Sequence, residues 1–417
     1  MYLTTDLRNN SVHSDSRRLS RRIGLFLGIM LSGGVLVLPR IPMLLLFFLF
    51  LFAASGWRVV PLGRTNKIWL ILLVIMLVSI FRPGPLDIDI LIIRYANFLA
   101  GLFLLATYMQ FGYPVLWKDM FVLMPWMAIQ AVVTFVLANF APWLFTYVEL
   151  PDESSLNTFL LVFNYHVLNE GYSGWQRPDG FFWEPGVFQL YLNLYLYLGL
   201  FVFRNRNHVL LALAALFCVY STTGVLVTSL VLSAALFNYL LSTNTRHRLL
   251  IFLAAILIFP AVGYLAAKNI EEKFGGELRG SSMIRQYDLL VGLSIVSDYP
   301  MVGIGFNHER YLEIAPKFTS AQDRLGLTEA PERSNSNGII YLAYSLGIPL
   351  ASLFLWGIFR QKVFPKPWLV GAILFISILG EALIFTPFVL MFIFSAFVKP
   401  RAHGTVPGQL NTGIAAT

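Results

Sequence analysis

Residues able to do chemistry crowd into one short stretch of this sequence, RPDGFFWEPG at 177–186, where Arg177, Asp179 and Glu184 stand among prolines, glycines and aromatic rings. A guanidinium presents a planar fork of donors to oxyanions, and a carboxylate beside a hydroxyl can take its proton. A plainer reading covers part of the stretch. Phe181, Phe182 and Trp183 suit the headgroup level of a bilayer, Pro185 suits a first helical turn, and Glu184 favours the positive end of a helix dipole. Arg177 and Asp179 fall outside that explanation. Beyond them Gln189, Asn193 and Tyr197 recur at i, i+4 and i+8, so polar groups share one face of an apolar segment and must turn to neighbouring helices or to a wet cavity. Asp87 and Asp89, in GPLDIDI, have the Asp-x-Asp spacing that can hold a divalent metal. Arg82 and Arg94 flank them, so local charge pairing is a ready alternative, and neither a metal nor a cofactor is expected.

The elements that must position these groups are apolar helices. Hydrophobic residues make up 57% of the chain and charged ones only 12%, more apolar content than a soluble core of this length buries. The fold class expected is an all-α polytopic membrane protein with about twelve transmembrane helices, because apolar runs long enough to cross a bilayer keep recurring. They lie near 23–38, 41–54, 67–81, 90–110, 119–138, 184–203, 207–220, 222–241, 247–267, 336–357, 368–379 and 382–398, and the second, seventh and eleventh are short for the bilayer. Lys and Arg alternate with these runs so that a cytoplasmic N-terminus puts Arg17, Arg18, Arg21, Arg22, Arg58, Arg64, Arg204, Arg206, Arg360 and Lys362 inside. Both termini are then cytoplasmic and most acids lie outside. The net charge of +8 is explained by this rule and calls for no nucleic-acid partner. Arg17–Arg22 before an apolar stretch imitates a secretory signal, but no small-residue cleavage site follows, so an uncleaved first span is expected. Cys218, the only cysteine, rules out an intramolecular disulfide framework.

The expected organisation is a cytoplasmic tail over 1–22, helices one to five over 23–138, a periplasmic loop over 139–183, helices six to nine over 184–267, a second periplasmic loop over 268–335, helices ten to twelve over 336–398, and a cytoplasmic tail over 399–417. Chemistry outside a bilayer needs a platform, and the two long loops offer one. In the second, Ser281 or Ser282 could cap a helix whose Ile284, Tyr287, Val291 and Ile295 form one stripe, suited to lie along the membrane surface. Asp298, Tyr299 and Pro300 should end it, and the GIG at 303–305 should make the next turn.

These residues resemble a family. RPDGFFWEPGVFQLYLNL looks like the segment that opens the span after the large external loop in bacterial O-antigen polymerases. YSTTGVLV at 220–227 is similar to the family's Ser/Thr-rich turn, without the Arg often found there. SSMIRQYDLLVGLSIVSDYPMVGIGFNHE at 281–309 resembles its second-loop pattern of Arg, amphipathic helix, Pro and Gly-x-Gly. SNGIIYLAYSLGIPL at 336–350 looks like the following span, which in the related O-antigen ligases begins with His-Asn. The resemblance covers roughly 180–350 and implies a GT-C-type glycosyltransferase architecture in the bacterial inner membrane, with the active site facing the periplasm.

It also implies a substrate, a glycan linked through diphosphate to undecaprenyl, serving as both donor and acceptor in lipopolysaccharide O-antigen or related polysaccharide biosynthesis. A sugar hydroxyl of one repeat attacks the anomeric carbon of another and the carrier diphosphate leaves. Arginine suits the leaving group because its fork pairs with phosphate oxygens and keeps its charge. Arg177 and Arg285, both in family-like stretches, are the catalytic candidates for that task, and Glu184 is the candidate for taking or orienting the hydroxyl proton. Arg279, Arg310 and Arg333 are lesser anion-binding candidates. Asn335, Asn337, Gln189 and Asn193 could hold sugar hydroxyls, or Asn335 and Asn337 could simply cap a span. Counting back from Gly347, Ser336 occupies the position of the ligase His, and a serine is no proton acceptor near neutral pH. His308 reads as an ordinary loop histidine. A polymerase is therefore expected ahead of a ligase that hands chains to lipid A-core, and ahead of a flippase, which would concentrate charge inside the bundle. The long loops leave room for a chain-length-regulating protein. In a Cys218→Ala background, Arg177→Cys and Arg285→Cys should each react with a membrane-impermeant maleimide added from the periplasmic side; labelling from the cytosolic side alone would reverse this orientation.

Overall fold

The computed structural model describes residues 4–34, 40–56, 62–81, 88–149, 155–165, 175–242, 279–306, 308–315 and 335–398. Among them the chain is mainly helical, in the order α1 (Thr4–Met30), α2 (Arg40–Ser55), α3 (Leu62–Phe81), α4 (Ile88–Phe111), α5 (Tyr113–Phe140), β1 (Thr146–Glu149), β2 (Ser155–Phe159), β3 (Phe163–Tyr165), α6 (Pro185–Tyr197), α7 (Arg206–Val219), α8 (Thr222–Ser242), α9 (Arg279–Asp298), α10 (His308–Ile314), α11 (Gly338–Phe359), α12 (Pro367–Gly380) and α13 (Pro387–Ser395). Ile88–Phe111, Tyr113–Phe140, Pro185–Val202, Thr222–Leu240 and Gly338–Phe359 are long and apolar enough to cross a membrane. Arg40–Ser55, Thr65–Ile80, Arg206–Val219 and Pro367–Gly380 are apolar but shorter. The apolar run 247–267 lies outside the described residues.

α6 is the axis. Gly186 to Tyr197 are buried on every side, against α5, α7, α8 and α12. A helix apolar all round belongs inside a bundle, and its polar residues are spent there. Gln189 Nε2 donates to Ser377 Oγ of α12 at 3.1 Å, Asn193 Nδ2 donates to Gln189 Oε1 at 2.9 Å, and Thr228 Oγ1 of α8 donates to Asn193 Oδ1 at 2.9 Å. Tyr197 donates to the Pro365 carbonyl. These bonds join three helices through the interior, where unpaired amides would be costly.

The two ends of the bundle differ chemically. At the end where α6 finishes, Arg21 Nε and Arg22 Nε both meet Asp119, at 2.5 and 3.1 Å, and Tyr108 donates to the same carboxylate at 3.1 Å. Lys362 Nζ donates to the carbonyls of Ala396 and Val398, at 3.1 and 2.8 Å, placing a cation at the negative end of α13. At the end where α6 begins meet the close of α1, the starts of α2, α4, α11 and α13, and the segment 177–184.

The all-helical expectation missed a small antiparallel sheet, β1-β2-β3, within 139–183. Phe159 pairs with Phe163 across a tight turn in which Leu160 and Leu161 have positive φ, 57° and 58°. Leucine is a poor residue for that region, and the Asn or Gly that would mark such a turn is missing.

α9 carries the expected stripe, with Tyr287, Val291 and Ile295 buried against α11. Burial first, and then the neighbouring Asp288 charge, raise the Tyr287 hydroxyl above the ordinary tyrosine value, so it stays neutral. The side chain of Ile284 is outside the described set. The helix starts at Arg279, so neither Ser281 nor Ser282 caps it. Beyond its end the segment 300–305 enters a break in α11. Gly347 there is non-helical, φ 77° and ψ 163°, and the ladder it interrupts is completed from outside. Ile304 N–H donates to Tyr344 O at 2.6 Å, Gly305 N–H to Ser345 O at 3.0 Å, and Ile348 N–H to Pro300 O at 2.7 Å. Helix-breaking residues at membrane depth need such replacement partners.

A side chain would not fit at this junction. A Cβ on Gly303 would lie 2.3 Å from Tyr344 O, and one on Gly347 would lie 2.2 Å from Met301 O. Both glycines also have positive φ. Gly303→Ala and Gly347→Ala should each destabilise the protein by on the order of 3 kcal/mol, read as a lowered melting temperature in detergent.

Candidate functional site

The stretch 177–186 is sewn between the sheet and the end of α1. Pro178 bridges to Tyr165 of β3, Asp179 N–H donates to Asn164 O at 3.0 Å, and Asn164 Nδ2 donates to Gly180 O at 3.0 Å. Gly180 takes φ +66° against the ring of Phe188. Phe182 stacks on Tyr191 with ring centroids 4.8 Å apart, and Trp183 N–H donates to Gly33 O at 3.2 Å. The stiff residues thus hold a turn onto the first coil of α6, with Pro185 at its start and Glu184 as the extended N-cap. The Glu184 side chain makes no capping bond. It remains available to a partner.

That partner is Arg285, one and a half turns into α9. Its Nη2 lies 3.6 Å from Glu184 Oε2 and 3.5 Å from Glu381 Oε1. Both separations exceed the 2.7–2.9 Å of a strong charged hydrogen bond, so the guanidinium is attracted without being locked. The two carboxylates differ in setting. Glu184 is 41% exposed whereas Glu381, in the turn between α12 and α13, is 5% exposed. The Glu184 contact contributes at most about 1 kcal/mol, since solvent screens it. Gly186 makes the convergence sterically available, because a Cβ there would lie 1.8 Å from Glu381 Oε1.

Beside this group Asp288, three residues on from Arg285 and buried, accepts from Ser336 twice: from N–H at 2.9 Å and from Oγ at 2.6 Å. Asn335 Nδ2 donates to Asp288 O at 2.5 Å, and Asn335 Oδ1 accepts from Asn337 N–H at 2.8 Å. Asn337 is the N-cap of α11, accepting from Ile339 and Ile340 N–H at 3.0 and 3.1 Å. Both asparagines are therefore occupied in holding α9 to the start of α11. Gln189 and Asn193 are occupied inside the bundle.

Arg177 stands apart from Arg285. Its Nη1 donates to Tyr220 O at 3.3 Å, at the left-handed turn that opens YSTTGVLV, and its buried Nε has no hydrogen-bond partner. No bond or ion pair joins the two arginines among the described residues. Arg310 lies over the ring of Tyr299, 5.7 Å from its centroid, near the far end of α9 and roughly 20 Å from Arg285 along that helix. Arg279 opens α9 and His308 opens α10, but their side chains, like all of Arg333, Arg82 and Asp87, are outside the described set. Asp89 is exposed at the start of α4. Among the described residues no three His, Cys, Asp or Glu side chains gather as a metal site.

Sequence reasoning missed Glu381 and Asp288. Glu381 carried a signal, a lone acid in a short turn between two apolar runs, where a charge needs a reason. Asp288 had one too, the i, i+3 relation to Arg285 on a helix whose opposite stripe is apolar.

Residues 208–355 match the family model described as O-antigen ligase. The match covers about a third of the chain and is consistent with the O-antigen polymerase and ligase family. The matched residues include Arg285, Asp288 and Ser336; Arg177, Glu184 and Glu381 lie outside them. No curated protein matches the chain significantly.

Gly186→Ala should displace the Glu381 carboxylate rather than the helix, since a side-chain end occupies the space. Glu381→Ala should then cost less in that background than in the parent. A double-mutant cycle by chemical unfolding should show coupling of about 1 kcal/mol or more, and strict additivity would mean that the two residues do not meet.

Proposed function

We propose that the protein is a glycosyltransferase of about twelve spans and GT-C-type architecture that polymerises undecaprenyl-diphosphate-linked repeat units into O-antigen or a related surface polysaccharide. In this reading the end of the bundle where α6 begins faces the periplasm and both termini are cytoplasmic, in keeping with the cations gathered at the other end. The observation that carries the proposal is the loose sharing of Arg285 between Glu184 and Glu381 at the membrane edge.

The chemistry follows from that sharing. A donor diphosphate offers Arg285 a better partner than a half-exposed carboxylate, because its oxygens match the guanidinium fork and carry more charge. Glu381, enclosed against Gly186, keeps the guanidinium in place. Glu184, released from Arg285, is left beside the reacting groups with its carboxylate oxygens open to the acceptor hydroxyl. The acceptor hydroxyl oxygen bonds to the donor anomeric carbon, and the bond from that carbon to the diphosphate oxygen breaks. The electron pair leaves with the diphosphate, whose charge Arg285 takes up, and the hydroxyl proton passes to Glu184. Arg177 is the second guanidinium that this reading assigns to the diphosphate charge.

A ligase is the second reading, favoured by the description of the matched family. Ser336 weighs against it. Its hydroxyl hydrogen is committed to Asp288, so neither its chemistry nor its bonding supplies the proton acceptor that a histidine would.

Deleting the gene and resolving the cell's surface glycan on a gel separates the readings. Loss of a polymerase leaves single repeats on the acceptor, whereas loss of a ligase leaves long chains on the carrier. In complementation, Arg285→Ala should lower chain growth by about a hundredfold or more with the protein inserted at normal levels, and Arg285→Lys should recover little. Glu184→Gln should lower it by roughly a hundredfold at least. A ladder of ordinary length from Arg285→Ala would remove that residue from the mechanism.

A further inference from the structure

Two further guanidiniums converge with no acid between them among the described residues. Arg40 is the first residue of α2, and Arg94 lies in the second turn of α4. Arg40 Nη2 donates to Asn97 Oδ1 at 3.4 Å; Asn97 is buried and donates in turn to Phe385 O at 3.1 Å, which fixes its carbonyl oxygen toward Arg40. Arg94 Nη2 donates to the Tyr341 hydroxyl at 2.5 Å, and its guanidinium lies over the rings of Tyr341 and Phe385, 5.3 and 5.8 Å from their centroids. The Arg94 Nε is buried without a hydrogen-bond partner, and both guanidiniums reach Phe385, Arg40 through Asn97 and Arg94 over the ring.

Five other cations of the bundle have an anion or a helix terminus against them. Arg21 and Arg22 share Asp119, Arg285 has two glutamates, Arg177 has a carbonyl and Lys362 caps a helix. Arg40 and Arg94 have, among the described residues, an amide, a phenol and two ring faces. Two like charges drawn partly out of water are unfavourable unless an anion joins them. Ring faces and neutral acceptors orient a guanidinium but leave its charge uncompensated. A ligand can supply the negative charge that no described residue supplies here.

The surroundings say what the ligand is attached to. Ile41, Leu45 and Leu49 run down α2 from Arg40 as an exposed apolar stripe, and Ile88 and Ile92 are exposed on α4 beside Arg94. An anion entering there has hydrocarbon contact on the same surface. We propose that Arg40 and Arg94 bind the phosphate or diphosphate head of a membrane lipid, at a site separate from Arg285. The turn from Glu381 to Thr386 links the two sites: its first residue meets Arg285, while Phe385 meets Arg94 and accepts from Asn97. Binding at this second site does not depend on the reaction assigned above.

The test is a titration of the full-length protein in phosphatidylcholine nanodiscs with farnesyl diphosphate, in an Arg285→Ala background that silences the other site. Adding Arg40→Gln and Arg94→Gln should weaken binding by about tenfold or more, and Arg94→Lys, which keeps the charge but loses the fork, by roughly threefold. Should the paired glutamine variant fail to fold, the lysine variant and single Arg40→Gln carry the same test. Affinity within about twofold of the background in every folded variant would overturn the proposal. Repeating the titration in phosphatidylglycerol nanodiscs separates the two sources of the phosphate. Competition that requires Arg40 and Arg94 identifies a site for phospholipid heads generally, and its absence identifies one selective for diphosphate. Because no glycan transfer is read, the outcome is distinct from that of the chain-growth experiment.

Discussion

Arg285 can meet Glu184 and Glu381 together only because a helix and a turn come within touching distance at Gly186. That approach is the constraint on which the candidate site rests. α6 must begin at the lip of the bundle, which Pro185 and the stacked aromatic turn enforce, and the 381–386 turn must press against its first coil. α9 must then bring a cation to the place where the two carboxylates face each other. None of the three residues is near another in the chain, so the site is a product of packing. Its charges are balanced toward the anionic side, two carboxylates for one guanidinium, and the loose distances mean that the balance can be redistributed when a more strongly charged ligand arrives.

The interior supports this by using its polar groups for cohesion. Gln189, Asn193, Ser377 and Thr228 bond with one another between α6, α8 and α12, and in a lipid surrounding such bonds add directional attraction where the hydrophobic effect offers little between helices. The same logic separates the two ends of the bundle. One end consumes its cations in Asp119 and in the terminus of α13, whereas the other presents guanidiniums whose protein partners are few, distant or neutral.

Much of the fold was legible because hydropathy reports burial directly. Most apolar runs hold a helix among the described residues, although the first helix ends at Met30 and the last run holds only Pro387–Ser395, and the stripe of Tyr287, Val291 and Ile295 appears as one buried face. Pro185 marked the start of α6 and Asn337 the start of α11, since both act on their own backbone within a turn. The sheet was not legible, because Leu160 and Leu161 adopt left-handed conformations under tertiary pressure with no local residue to announce it. Of the site, Arg285 and Glu184 were picked out by the company they keep in sequence. Their meeting with Glu381 was not, because a contact spanning 96 positions leaves no periodic trace. Arg177 was paired in expectation with Arg285, yet it turns to the carbonyl of Tyr220.

The seam between α9 and α11 has a mechanical consequence. It is fastened at three heights: Asp288 to Ser336, Gly292 against Ile340, and the 300–305 segment inside the break at Gly347. Splinted in this way, the two helices cannot slide or hinge past each other without stripping several main-chain bonds at once. Arg285 is therefore mounted on a stationary rail, and whatever gives way to admit a bulky ligand is the Glu184 side of the cleft or the rotamer of the arginine itself.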